Sequence, residues 1–261
     1  MSAPHPFDLS GRVAVVTGGA GGLGFGMAET LVRCGCGVSL WARREDKLAE
    51  AKAALAPHGA PVHTRRTDVA DPDDVAAAMA DTLAALGRVD GMFANAGVGG
   101  GAKPFADRTL AEWRELLATN LEGVVTCFQA AVRHMQARAA AGDPYGRLVA
   151  TSSVASLDGA AFNEHYGASK GALNSLVRAL AVEQARHGIT ANAILPGYAE
   201  SEMTEGMFDN AKFMAAVPKR IPARRFGKPQ DYGGIAAYLM SGLSAYHTGD
   251  SFVIDGGYTI F

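Results

Sequence analysis

A short β-rich apolar run, Val13-Ala14-Val15-Val16, is stopped by Thr17-Gly18-Gly19-Ala20-Gly21-Gly22-Leu23-Gly24, and a helix-like stretch follows to about Cys34. Few folds accommodate a glycine-rich turn between a first strand and a first helix. Glycines there permit a tight turn, close approach of the backbone to a bound group, and close packing of helix on strand. The helix start adds free N–H groups and the positive end of its dipole, which suits a pyrophosphate. An ordinary Gly-rich turn is the competing reading, and the position directly after the first strand favours a dinucleotide. The chain has 32 glycines among 261 residues, about one in eight where roughly 7% is ordinary. Its 11 prolines follow no Gly-X-Y period, which excludes collagen-like and low-complexity chains.

Further strands are expected at 36–41, 62–66, 89–94, 147–152, 189–195 and 251–254. Helices are expected between them. One covers 45–56, and one starts at Asp71-Pro72-Asp73-Asp74, where an N-cap, a Pro at the first helical position and acids at the positive end coincide. Another starts at the capping box Thr109-Leu110-Ala111-Glu112 and runs toward Arg138; the last two cover 165–187 and 230–243, with 196–229 irregular. Strands alternating with helices imply an α/β fold. The expected form is a single-domain Rossmann-type doubly wound parallel sheet of about seven strands, with helices on both faces. No Pro/Ser-rich linker and no repeat of 20–50 residues divides the chain, so residues 1–261 are read as one domain.

Lys and Arg total 24 against 26 Asp and Glu, a formal charge of -2. That balance argues against nucleic acid or an anionic membrane as the main partner. Three cysteines, Cys34, Cys36 and Cys127, cannot build a disulfide framework, and no CxxC or His/Cys cluster suggests a metal site. The opening MSAPHPFDLSGR lacks the pattern of a signal peptide, and no apolar run reaches the ~18 residues of a membrane span. A cytoplasmic protein is the expectation.

The glycine spacing TGxxxGxG departs from GxGxxG and resembles the short-chain dehydrogenase/reductase (SDR) family. Other positions carry the same resemblance. Asn95-Ala96-Gly97 ends the fourth strand, Asn120 lies in Thr119-Asn120-Leu121-Glu122-Gly123, and Pro196-Gly197 ends the sixth strand. Tyr166 and Lys170 are four apart on a helix and share a face, with Ser153 thirteen residues upstream. The similarity extends from about Leu9 to Gly257. It implies a catalytic set of Asn120, Ser153, Tyr166 and Lys170: Ser153 binds the substrate oxygen, and Tyr166 exchanges a proton with it. Lys170 lowers the tyrosine pKa and holds the nicotinamide ribose, while Asn120 positions a water leading from Lys170 toward solvent. It also implies cofactor contacts from Gly18, Gly22, Leu23, Gly24, Asp68, Val69, Asn95, Ala96, Gly97, Tyr166, Lys170, Pro196 and Gly197.

After the second strand, Ala42 replaces the family's acid and is followed by Arg43 and Arg44. Guanidinium groups there can clamp a 2′-phosphate, which favours NADP, with NAD as the alternative. The competing reading makes both arginines solvated charges before a helix. Gly21, where many NADP-using relatives carry a basic residue, weighs for NAD. Residues 198–218 match the family's mobile substrate lid. Met203, Met207, Phe208, Phe213 and Met214 there either cover an apolar substrate or pack the lid onto the body. Val154 and Phe162 are further candidates for the substrate pocket, with Met203 and Met207. His165, beside Tyr166, should point elsewhere on its helix. The expected function is hydride transfer between a nicotinamide cofactor, NADP favoured, and a secondary alcohol or ketone. The alternatives are an NAD-preferring sugar or polyol dehydrogenase and a non-catalytic cofactor-binding regulatory protein. The resemblance also implies a homo-oligomer, a tetramer or dimer.

Overall fold

Each apolar run bounded by turn residues becomes a strand in the computed structural model, which describes residues 5–261 apart from the side chains of Met207 and Lys212. The strands are β1 (Val13–Thr17), β2 (Gly37–Ala42), β3 (Val62–Arg66), β4 (Gly91–Ala94), β5 (Gly146–Thr151), β6 (Ile189–Pro196) and β7 (Ser251–Ile254). They form one seven-stranded sheet in the order β3-β2-β1-β4-β5-β6-β7. All six pairings are parallel. The strand order reverses between β1 and β4, and a crevice opens beyond their carboxyl ends. β4 starts two residues later than the sequence suggests. The Asp90 carboxylate ahead of it accepts the Val13 amide at 2.9 Å, while the Asp90 backbone bonds Val13 and Arg147.

Ten helices connect the strands among the described residues: α1 (Gly22–Arg33), α2 (Glu45–Leu55), α3 (Pro72–Leu86), α4 (Leu110–Leu117), α5 (Gly123–Ala140), α6 (Ala155–Asp158), α7 (Glu164–Gln184), α8 (Glu205–Phe208), α9 (Ala211–Arg220) and α10 (Gly233–Met240). The start signals are met as expected. Asp71 accepts the amides of Asp73 and Asp74, and Thr109 and Glu112 close a capping box. Two expectations change. The helix expected from 109 toward 138 is interrupted by one π-helical turn, Ala118–Glu122. Residues 196–229 hold α8 and α9, whose aromatic residues order the segment through packing remote in sequence.

Alternate residues of each strand face opposite layers. Val15, Trp41, Met92 and Leu148 pack with α3, α5 and α7. Ala14, Leu40, Phe93 and Val149 pack with α1, α2 and α10. Two glycines let α1 approach α10 and the turn before it: a Cβ at Gly26 would lie 2.1 Å from the Pro229 carbonyl oxygen, and one at Gly233 would lie 1.9 Å from Thr30 Oγ1. Among the described residues, no helix is long and apolar enough to cross a membrane.

Candidate active site

The crevice at the carboxyl ends of β1, β4 and β5 is lined on one side by the glycine loop. Gly18 and Gly22 have φ of +63° and +51°, where a side chain would be strained. A Cβ on Gly24 would fall 2.4 Å from the Gly18 carbonyl oxygen, so this glycine packs α1 against the loop and does not face the crevice. The α1 N-cap, Gly21, makes no side-chain cap, and the first turn holds no acid. Its N–H groups and dipole therefore face the crevice without a competing side chain, as an anion requires. Asn95 ties the floor together: its amide and that of Ala96 both donate to Thr17 Oγ1 at 2.9 Å, and Thr151 Oγ1 donates to its Oδ1 at 3.2 Å.

Ala42, Arg43, Arg44, Asp68 and Val69 line the same crevice beyond the ends of β2 and β3. Asp68 also does the local work of a turn residue, its Oδ1 accepting the Ala70 amide at 3.0 Å. Arg43 and Arg44 are exposed. Arg44 Nη2 is bound by Glu202 Oε1 of the 198–218 segment, a contact between residues 158 positions apart. No local pattern could have revealed it.

A group of hydroxyls and an ammonium from β5 and α7 lines the same crevice. Ser152 and Ser153, adjacent in sequence, divide their work. Ser152 Oγ donates to the Lys170 carbonyl at 2.8 Å and pins α7 to β5. Ser153 Oγ accepts the Ala155 amide at 3.1 Å and lies beside the Tyr166 phenol in the same crevice. The Lys170 ammonium is buried, donates to the Thr151 carbonyl at 2.8 Å, and stands 5.7 Å from the centre of the Tyr166 ring. Burial brings its pKa down to about 8. Burial also raises the Tyr166 phenol above its ordinary value, opposed by the neighbouring Ser153 hydroxyl. Thr151 takes one of the three ammonium donors of Lys170 and fixes the charge within reach of the Tyr166 ring.

Asn120 lies in the π-helical turn and is fully buried. Its Oδ1 accepts the Val98 amide at 2.8 Å and its Nδ2 donates to the Val98 carbonyl at 3.0 Å. A Cβ on Gly97 would meet Asn120 Oδ1 at 3.3 Å and Lys170 Nζ at 3.5 Å, so the segment after β4 lies directly over Lys170. Asn120 thus reaches Lys170 through the backbone it clamps.

The substrate candidates separate. Met203 lines the crevice and faces Gly99, whose Cβ would lie 3.1 Å from Met203 Cγ. Val154 and Phe162 are not among the lining residues. Val154 is buried with its amide on the Pro196 carbonyl at 3.0 Å, because it starts α6. Phe162 is exposed at φ +63°, and its carbonyl accepts Lys103 and Arg108. The Met207 side chain lies outside the described residues. Phe208 and Phe213 pack on Phe226 at 5.0 and 6.0 Å between ring centres. Tyr198 meets both Phe213 and Tyr258. This cluster explains why segment 198–218 is ordered. His165 stacks on Trp113 at 5.7 Å, away from the crevice as its helical position predicts. Thr17, Thr151 and Glu202 were missed, because their contacts join distant segments.

A family profile described as Enoyl-(Acyl carrier protein) reductase matches residues 18–259. Gluconate 5-dehydrogenase of Gluconobacter oxydans is 34% identical over 260 residues, covering 100% of this chain and 99% of the relative. Two crystal structures add the fold. A short-chain type dehydrogenase/reductase from Mycobacterium marinum superposes with a TM-score of 0.91 at 34% identity, with 98% of each chain covered. A gluconate 5-dehydrogenase from Burkholderia cenocepacia, in complex with NADP and tartrate, gives 0.90 at 33% identity, with 97% of each chain covered.

The chain belongs to the short-chain dehydrogenase/reductase family. It is an oxidoreductase, and the resemblance drawn from its motifs is met across the full sheet. In this SDR enzyme, Gly18, Gly22, Leu23, Asn95, Ala96, Gly97, Ser153, Tyr166, Lys170, Pro196 and Gly197 line one crevice. Gly24 and Asn120 stand behind it, as packing and as a clamp.

Proposed function

We propose that this SDR enzyme interconverts an uncharged secondary alcohol and its ketone, with NADP as the cofactor. A nicotinamide dinucleotide bound in the crevice supplies hydride acceptance in one direction and donation in the other. The glycine loop and the start of α1 hold its pyrophosphate. Arg43 and Arg44 hold the 2′-phosphate, and Asp68 with Val69 borders the adenine. The Ser153 hydroxyl binds the substrate oxygen, and Tyr166 Oη takes the hydroxyl proton during oxidation and returns it during reduction. Lys170 orients the ribose through its fixed ammonium, and Asn120 holds the Val98 backbone over it.

The convergence of Ser153, Tyr166 and Lys170 in one crevice with Arg43 and Arg44 carries this reading. The choice of an uncharged substrate rests on the crevice lining. Among the described lining residues the cations are Arg43 and Arg44 at the adenosine end and Lys170, already bound to Thr151. Met203 and Gly99 border the substrate end. A panel of cyclic and acyclic ketones, alcohols, polyols and keto-acids, run with each cofactor and followed by nicotinamide absorbance, tests the reading. Turnover of uncharged ketones with NADP supports it; faster turnover of 5-keto-gluconate refutes the substrate class. No turnover on the whole panel, with dinucleotide still bound, favours the non-catalytic alternative.

We further propose a homo-oligomer, a dimer or tetramer. Val253, Ile260, Phe261 and Leu243 expose apolar surface near the β7 edge, the kind of surface an assembly covers. Light scattering on the eluting protein tests it, and a monomer overturns it. The three cysteines are free thiols, which suits the cytoplasm.

A further inference from the structure

The contact between Arg44 and Glu202 is unusual in its placement. Glu202 belongs to the lid, and Arg44 follows β2 at the end of the crevice proposed to take the 2′-position of the cofactor. Arg44 Nη2 and Glu202 Oε1 lie 2.5 Å apart. The same carboxylate oxygen would lie 3.9 Å from a Cβ on Gly21, so it overhangs the glycine loop as well as the arginine. Arg43, Arg44, Gly21 and Glu202 all line the crevice. The pair therefore bridges the crevice mouth from lid to sheet.

Its side chains are 53% and 61% exposed, so it does little for the stability of the fold. A weak, open ion pair is easily exchanged, and the crevice defines the competitor. A 2′-phosphate carries close to two negative charges and seeks the same guanidinium, whereas a 2′-hydroxyl carries none. When the phosphate takes Arg44, Glu202 loses its partner and faces a like charge. When a hydroxyl occupies the position, the pair stays whole and the lid stays tied.

We propose that Glu202 is a specificity-determining residue for the cofactor: it disfavours the 2′-phosphate and links the lid to which dinucleotide is bound. The inference rests on the proposed dinucleotide site. It gives Arg44 two exclusive partners. The 2′-phosphate releases the lid, and the 2′-hydroxyl leaves it latched.

The test measures dissociation constants for NADP and NAD by calorimetry in four proteins: wild type, Glu202→Gln, Arg44→Ala and the double variant. Both side chains are exposed, so the variants should fold, and thermal melting checks this. Glu202→Gln should bind NADP roughly three- to twenty-fold more tightly, from the removal of one screened charge beside a dianion. NAD binding should change by less than about twofold, since no phosphate is present to be repelled. In the Arg44→Ala background, the NADP gain from Glu202→Gln should shrink, because Arg44 no longer draws the phosphate toward the carboxylate. Limited proteolysis of the lid gives a second readout. Cleavage in the wild type should be faster with NADP than with NAD, and Glu202→Gln should remove that difference. An unchanged NADP/NAD ratio in Glu202→Gln, or equal lid cleavage with the two dinucleotides in the wild type, overturns the inference. If the wild type binds neither dinucleotide, the proposed function itself fails; if it binds both and Glu202→Gln is silent, only the role of Glu202 fails.

Discussion

Replacing Tyr166 with Phe separates chemistry from structure in this enzyme, because the two effects differ greatly in size. The ring is retained, so its packing on α7 near the Lys170 ammonium is kept. The loss is one O–H group, worth at most one hydrogen bond. Ser153 keeps its bond from the Ala155 amide, so no buried donor is stranded. The expected stability change is therefore about 1 kcal/mol, the net worth of one hydrogen bond. For a domain of this size that shifts the melting temperature by roughly 2–4 °C. Proton transfer by a positioned side chain is worth about 10²–10⁴ in rate. The variant should lose that factor in kcat while binding NADP within about twofold of the wild type, an allowance smaller than one ordinary hydrogen bond. Unfolding cannot imitate this result: removing 99% of the activity that way would take more than the whole stability of a domain, about 5–15 kcal/mol. Stopped-flow or steady-state absorbance, calorimetry of NADP binding and thermal melting on the same preparation make the comparison. A kcat within tenfold of the wild type, with both other measurements unchanged, refutes the assignment of the proton to Tyr166 Oη.

Asn120→Leu should raise the KM for substrate and lower stability by about 1–3 kcal/mol, since the Val98 amide and carbonyl both lose their partner; urea unfolding and kinetics check the two parts. Gly233→Ala should lower the melting temperature, because its Cβ would meet Thr30 Oγ1 at 1.9 Å and force α10 from α1, an overpacking cost of about 1–3 kcal/mol. Asp90→Asn should cost about 3–5 kcal/mol in urea unfolding with little change in kcat, because the buried carboxylate serves Arg12, Arg88 and Arg138 far from the crevice. Lys170 predicts a pH effect on the dinucleotide-free protein. Its folded pKa is about 8 and its usual value 10.5, so between them the unfolded chain binds more protons and stability rises with pH. Denaturant titrations should show a rise on the order of 3 kcal/mol over that window, and Lys170→Met should flatten it.

The residues that were legible in advance share a property: each acts through neighbours a few positions away. The strand, glycine turn and helix at 13–33, the capping box at Thr109 and Glu112, and the four-residue spacing of Tyr166 and Lys170 all follow from local geometry. Ser153, next to Ser152 at the end of β5, was singled out only by the family resemblance. The π-helical turn at Asn120 was only hinted at by an Asn in mid-helix. It forms because that amide is drawn to both backbone groups of Val98.

Backbone periodicity and turn chemistry were enough to define an α/β sheet with a glycine loop at the first crossover, and the family resemblance added the reaction class. They operate over one or two turns of chain, where a spacing of two or four already decides which side chains share a face. Three features required the folded chain. The lid is ordered by Tyr198, Phe213, Phe226 and Tyr258 meeting from separate segments. The glycines at 26 and 233 make sense only once α1 and α10 lie side by side. Arg44 meets Glu202 across 158 residues. Such contacts depend on where whole elements are carried in space, and a side chain placed by a distant element leaves no periodic trace beside its partner.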